Sequence, residues 1–406
     1  MTEAPPDALF AGLKVIDCGS YIAAPAATTI LADLGADVIK IEPPGAGDPY
    51  RQLPKLPGNP VCDHDYAWIL DNRGKRGLAL DLGTAEGQQL LHELVADADV
   101  FVTNYPLRVR EKLRIDDGTL MALNERLVYG SFTGYGEAGA EVAKPGFDAT
   151  SYWARSGMMD TVRPSADATP ARAVVGQGDH PSAMTLYAGI VTALYQREHT
   201  GKGTKVSSSL QANGLWANSY MATAALCGAQ FIPRPPRERH FNALSLHYRC
   251  ADGKWLLLTI LNEDRHWPVL ARGVERLDLL EDERFATKPD RLRNAQLLIA
   301  ALDDAFGRHE RAHWEKVLGE NGIVFDIVAI PEDIPHDEQI RANNLVVGFV
   351  EDDRVSTIAV PFQLADAETV PARLPPAVGQ HTDEVLASLG YSAAAIAELR
   401  ANGTVA

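Results

Sequence analysis

The chain carries 406 residues, more than one ordinary hydrophobic core organises, so two or three domains are expected. Hydrophobic residues make up 46% and charged residues 23%, the balance of a soluble globular protein. Thirty-eight basic against 54 acidic residues leave a net charge of −16, which argues against a nucleic-acid or anionic-membrane surface. An anionic ligand would have to be held by local Lys and Arg against that field.

Residues 13–18 (LKVIDC) predict a short buried strand, 19–25 a loop, 26–34 a helix of small residues closed by Gly35, and 37–42 (DVIKIE) the next strand. Strand, helix and strand within about thirty residues form a βαβ unit with parallel strands and a right-handed crossover. The alternation continues with a strand at 78–82, a helix at 85–96, and strands at 100–103 and 127–132. The first part is thus an α/β, doubly wound domain. Gly134-Tyr135-Gly136-Glu137-Ala138-Gly139 has the spacing of a dinucleotide fingerprint. It runs into a loop rather than a long apolar helix, and the first βα turn at 19–25 lacks the glycines, so no NAD site is expected.

Residues 174–184 (VVGQGDHPSAM) place Asp179 between a glycine-rich turn and a Pro-Ser pair, directly before the apolar, small-residue run 183–197. That run predicts a buried helix with Asp179 at or just before its N-terminus. Two readings stay open: a helix-capping Asp, or a carboxylate nucleophile or acid–base group at the mouth of a cleft. Residues 205–209 then predict a strand and 210–227 a helix. The Pro- and Arg-rich segment 226–243 reads as a linker into a small α+β domain at 244–335, which opens with a hairpin about Ala251-Asp252-Gly253. Residues 336–406 read as a return linker and final helices that complete the large domain begun at 1–225. Cys18, Cys62, Cys227 and Cys250 are widely spaced with no metal-ligand pattern, so no zinc or disulfide framework is expected. Residues 1–10 have no signal-peptide character, and no run approaches the about 18 apolar residues of a membrane span. A cytoplasmic protein is expected.

Several stretches together resemble the class III CoA-transferases, the family of formyl-CoA transferase, carnitine CoA-transferase and α-methylacyl-CoA racemase. They are 13–51 (LKVIDCGSYIAAPAATTILADLGADVIKIEPPGAGDPYR), the block Asn72-Arg73-Gly74-Lys75-Arg76 with Leu80-Asp81, 99–105, 130–136 (GSFTGYG), 148–159, the Asp179 loop, 193–206 and 375–389. The resemblance implies a Rossmann-like large domain and a small domain, assembled as an interlocked homodimer in which two chains thread through one another. It implies transfer of CoA from an acyl-CoA donor to a small organic acid, with Asp179 attacking the thioester to form a mixed anhydride and then an aspartyl-CoA thioester. Coenzyme A would be the substrate that carries the acyl group, with no metal.

The resemblance also implies CoA contacts from Ile22, Ala23, Asn72, Lys75, Arg76, Asn104, Tyr105, Lys112 and Lys144. Gly178 and Phe147 would face the acid. Phe147 stands where the racemase branch has a His, and it cannot accept a proton, which argues against racemisation. An intramolecular CoA-transferase is the nearer alternative. In place of a glycine-rich closing loop the chain has 237–244 (RERHFNAL), so Arg239 and His240 are expected to bind a second carboxylate of a dicarboxylic acid.

Overall fold

The computed structural model describes residues 7–367 and 369–406. Six parallel strands form one sheet: β1 (Lys14–Cys18), β2 (Asp37–Glu42), β3 (Arg76–Ala79), β4 (Val100–Thr103), β5 (Val128–Thr133) and β6 (Lys205–Ser209), in the order 3-2-1-4-5-6. The register pairs Val15 with Val38 on one side and with Val100 on the other. Because successive strand residues face opposite sides, Val15 and Ile16 feed two separate cores. Val15, Val38, Val100, Val102 and Val128 pack on α1 (Ala23–Asp33) and on the long helix that begins at Asp179. Ile16, Ile39, Leu78, Phe101 and Tyr129 pack on the helix Ala85–Ala96 and on the C-terminal helices Thr382–Ser388 and Ala393–Ala401. Every residue of α1 is buried, which explains its Ala- and Thr-rich composition between the sheet and its neighbour.

The helices connecting the strands are α2 (Tyr66–Asn72), α3 (Ala85–Ala96), α4 (Leu107–Leu113) and α5 (Asp117–Leu123). After β5 the chain makes a wide π-type turn at Asp148–Ala154, then the short helix α6 (Met158–Thr161), before α7 (Asp179–Thr200). The helix predicted over 210–227 is two helices, α8 (Leu210–Ala217) and α9 (Ser219–Leu226), broken at Asn218. Asn218 donates its side-chain amide to the Ser156 carbonyl (2.9 Å), so the break is tied to the preceding turn.

The chain divides into two compact units. One comprises residues 1–161, 172–227 and 339–406; the other comprises 162–171 and 228–338. The C-terminal segment joins the first unit through a bridge between Leu80 and Val405 and through Trp68 Nε1, which donates to the Pro376 carbonyl (3.1 Å). The second unit holds an antiparallel sheet of β7 (His247–Arg249), β8 (Trp255–Leu258) and β9 (Phe325–Ile327). Leu256, Leu258, Trp267, Leu298, Leu302, Phe306 and Trp314 form its core. No helix among the described residues is long and apolar enough to cross a membrane.

Candidate active site

Strand order 3-2-1-4 means that the connections from β1 and β4 leave the sheet in opposite directions, which opens a crevice at the carboxyl ends of the strands. A cavity of about 750 Å³ lies there within the first unit. Loops following β1 (Gly19 to Ala23), β2 (Pro43 to Pro49), β4 (Asn104 to Pro106) and β5 (Thr133, Gly134) supply one side of its lining. Phe147, Asp148, Trp153, Val174, Val175, Asp179 and Leu210 supply much of the rest. The apolar lining would strengthen the electrostatics of any charge within it. Asp48, Asp148 and Asp179 are its acidic side chains and Arg172 its basic one among the described residues.

The loop after β1 is fixed by a buried charge network. Asp17 Oδ1 accepts the Gly19 amide (2.9 Å), and Lys40 Nζ donates to the Gly19 carbonyl (2.6 Å). Asp48 accepts the Ser20 hydroxyl (2.9 Å) and the amides of Tyr21 and Tyr50, and Lys40 donates to its second oxygen (3.1 Å). Asn104 clasps Ser20 from β4, accepting from its amide (2.8 Å) and donating to its carbonyl (2.7 Å). This clamp holds Tyr21 at φ 62°, a left-handed conformation that a tyrosine adopts only under constraint. Burial alone would push the Asp17 carboxyl up, but the Lys40 and Lys75 ammoniums and the Gly19 amide hold it well below the usual carboxylate range.

Asp179 is the first residue of α7, at the positive end of the helix dipole. Its surroundings are opposite to those of Asp17. Burial comes first, the Asp148 carboxylate second, and these together with Asp71 push Asp179 up to about 7, against the pull of His180. Asp148, buried in the wide turn, accepts the Gly178 amide on Oδ2 (3.1 Å), while its Oδ1 has no hydrogen-bond partner among the described residues. Burial raises the Asp148 carboxyl too, although the amides of Gly178, Gly176 and Asp179 and the His180 charge oppose it. Gly178 must be glycine: a Cβ there would overlap Asp148 Oδ1 and the Tyr152 ring. Asp179 thus lies at a helix N-terminus in an apolar cavity, with no lysine or arginine paired to it among the described residues.

Of the residues singled out from sequence, Ile22, Ala23, Asn104, Tyr105, Phe147 and Asp179 line the cavity together. Phe147 is exposed there and stands edge-on to Tyr21, ring centroids 5.9 Å apart. Asn72, Lys75, Arg76, Lys112, Lys144, Gly178, Arg239 and His240 are not among the lining residues. The reasons are visible. Lys75 is buried and its ammonium is consumed by Asp17 Oδ2, Asn72 Oδ1 and the carbonyls of Pro25 and Asp71, all at 2.8–3.0 Å. Arg76 forks onto Asp37 and reaches Glu384 (3.3 Å). Lys144 pairs with Glu141 and lies over the Tyr135 ring, and Lys112 is exposed in the last turn of α4. Arg239 and His240 belong to the second unit; His240 turns its Nδ1 to the Asn242 backbone, and neighbouring Arg237 is held by Asp303 and the His247 carbonyl.

Residues that pattern reading missed are Asp148, Arg172, and the partners of His180. A signal existed for the buried network: Lys40, set between Ile39 and Ile41 in the buried strand DVIKIE, requires a buried anion. His180 is hydrogen-bonded on both ring nitrogens.

Residues 10–382 match the description CoA-transferase family III. The chain is 33% identical to (R)-2-hydroxy-4-methylpentanoate CoA-transferase of Clostridioides difficile, over 94% of this chain and 96% of that protein. It is 31% identical to cinnamoyl-CoA:phenyllactate CoA-transferase of Clostridium sporogenes, over 96% of each. The crystal structure of a CaiB/BaiF family protein from Brucella suis superposes with a TM-score of 0.84 at 27% identity, covering 93% of this chain and 98% of that one.

Proposed function

This chain belongs to CoA-transferase family III, and on that premise we propose that it moves CoA from an acyl-CoA to a small organic acid with Asp179 as the nucleophile. The observation that carries the reading is the carboxylate of Asp179, at a helix N-terminus in the apolar cavity, without a lysine or arginine partner. An Asp179 oxygen attacks the thioester carbonyl, the C–S bond breaks, and CoA leaves as thiolate from an aspartyl–acyl anhydride. The thiolate then attacks the aspartyl carbonyl, which releases the first acid and leaves an aspartyl-CoA thioester. The incoming carboxylate attacks that thioester, re-forming an anhydride and the thiolate. Attack of the thiolate on the new acyl carbonyl gives the product acyl-CoA and restores Asp179. The positive end of the α7 helix dipole suits the oxyanions that form in each step.

The CoA chain is proposed to run along the carboxyl ends of β1 and β4, against Ile22, Ala23, Asn104 and Tyr105, with Arg172 available to an anionic group. Phe147, Trp153, Val174, Val175 and Leu210 favour an acid with an apolar tail, in keeping with the 2-hydroxy acids named for two relatives. The dicarboxylic reading finds less support, since Arg239 and His240 are not among the lining residues of this cavity. A homodimer, interlocked as in the family, is proposed from the exposed Trp216 (80%), Tyr220 (86%) and Leu226 (89%) on α8 and α9, which ask for a covering surface. The test is a transfer assay with a panel of acyl-CoAs and labelled acids, using wild type and Asp179→Ala. Label entering the acyl-CoA pool only with wild type supports intermolecular transfer through Asp179. Transfer by the alanine variant at the wild-type rate would overturn it.

A further inference from the structure

Next to the proposed nucleophile, and outside the cavity lining, His180 is held from two sides. Its Nδ1 lies 2.9 Å from the Gly176 carbonyl and its Nε2 lies 2.9 Å from Asp71 Oδ1. A backbone carbonyl only accepts, so Nδ1 carries a proton. Asp71 is buried in α2, and its other oxygen accepts from the Tyr50 hydroxyl (2.6 Å), so the carboxylate is an acceptor on both sides. With two acceptors facing two ring nitrogens, the ring is an imidazolium. Gly176 completes the device. Its φ of 86° closes the turn onto His180, and a Cβ there would lie 2.8 Å from His180 Cε1. The chain therefore closes residues 176–180 onto α2 across 109 residues of sequence, with the reacting carboxylate inside the closed loop.

We infer that His180, locked as an imidazolium between Asp71 and the Gly176 carbonyl, is a positioning residue that aims Asp179 and keeps it ionised for attack. The inference rests on Asp179 being the nucleophile. The groups around this corner are three carboxylates, Asp71 from α2, Asp148 from the wide turn and Asp179 itself, with Tyr50 behind Asp71 and Asp65 at the start of α2. Burial pushes the Tyr50 hydroxyl far up, and Asp71 adds to this, so it stays a neutral donor. Burial alone would lower His180, but the hydrogen bond and charge of Asp71, with the Gly176 carbonyl and Asp179, raise it above its ordinary value. His180 is thus the cation that works against the burial and the two neighbouring anions raising Asp179. Loss of that cation leaves Asp179 protonated to higher pH, and a protonated carboxyl is a poor nucleophile.

The test is the single-turnover rate of acyl adduct formation on the protein, followed by intact mass from pH 5.5 to 9 in wild type and His180→Gln. The expected result is an acid limb displaced upward by about one unit in the variant, so that on the flank its rate falls about tenfold. On the high-pH plateau the two rates agree within about threefold. A lowered plateau with the limb unmoved is the behaviour of a merely structural residue and overturns the inference. A second measurement does not depend on the glutamine variant folding. Nitrogen NMR of the His180 ring in wild type should show both nitrogens protonated well above the ordinary histidine range, and Asp71→Asn should return it to that range. A neutral ring at pH 7 in wild type overturns the inference. If wild type turns over substrate but forms no adduct on Asp179, the nucleophile reading fails and this inference with it. An adduct whose pH limb ignores position 180 defeats the inference alone.

Discussion

Asp17 and Asp179 are carboxylates of the same unit, one supporting the loop that lines the cavity and the other lining it. Asp17 meets Lys40 and Lys75, the Thr28 hydroxyl and the Gly19 amide, and is held far on the ionised side. Asp179 meets burial and two further carboxylates, which the His180 ring offsets in part, and is pushed up to about 7. On the proposed reading the contrast separates scaffold from chemistry: a fully paired charge fixes geometry, and an underpaired one is left free to react.

The comparison is broken most sharply by removing each carboxylate's defining feature. Asp179→Asn should reduce transfer at least about a thousandfold, as expected for loss of a covalent nucleophile, while the melting temperature at pH 8 holds or rises. Lys40→Met should do the reverse. It takes from Asp48 the ammonium bonded to it, leaves Asp17 with Lys75 alone, and should lower stability by about 3–5 kcal/mol in urea unfolding. A neutral Lys40→Met would mean the network does not act as a scaffold.

The pH dependence of stability should carry opposite signs at the two sites. Asp17 has a folded pKa below its ordinary value near 3.8, so the stability it contributes is present above that pH and is lost as pH falls through the folded value. Asp179 has a folded pKa raised from 3.8 to about 7, so the folded state binds the extra proton and loses stability as pH rises through that window. Urea unfolding should therefore show the advantage of Asp179→Asn over wild type growing from pH 4 to 7, and the deficit of Asp17→Asn shrinking below pH 4. Gly178→Ala sharpens the comparison locally. Its Cβ displaces Asp148 and Tyr152. About 1–3 kcal/mol of stability should be lost, with a fall in kcat. The smallest effect expected is at the rim, where Arg172→Ala should raise KM severalfold and leave kcat unchanged if it contacts only a remote anion.

The strands were legible because a parallel sheet covered on both faces demands adjacent β-branched apolar residues, as in Val15-Ile16 and Val38-Ile39, and the Asp179 turn because glycines precede a small-residue helix. The partners of the cations were not legible. Lys75 and Arg76 look like ligand-binding residues, yet their partners Asp17 and Asp37 lie 58 and 39 positions away and meet them only through strand order. For the same reason, nothing in the string GDHPS predicts Asp71 as the partner of His180. The break between α8 and α9 depends on a side chain reaching the Ser156 carbonyl, another contact that periodicity does not encode.

The most direct test of the central claim is to quench wild type with hydroxylamine during turnover and map the modified peptide. The account predicts a hydroxamate on Asp179, absent from Asp179→Asn. A hydroxamate on Asp148, or turnover without any trapped carboxyl, would contradict it.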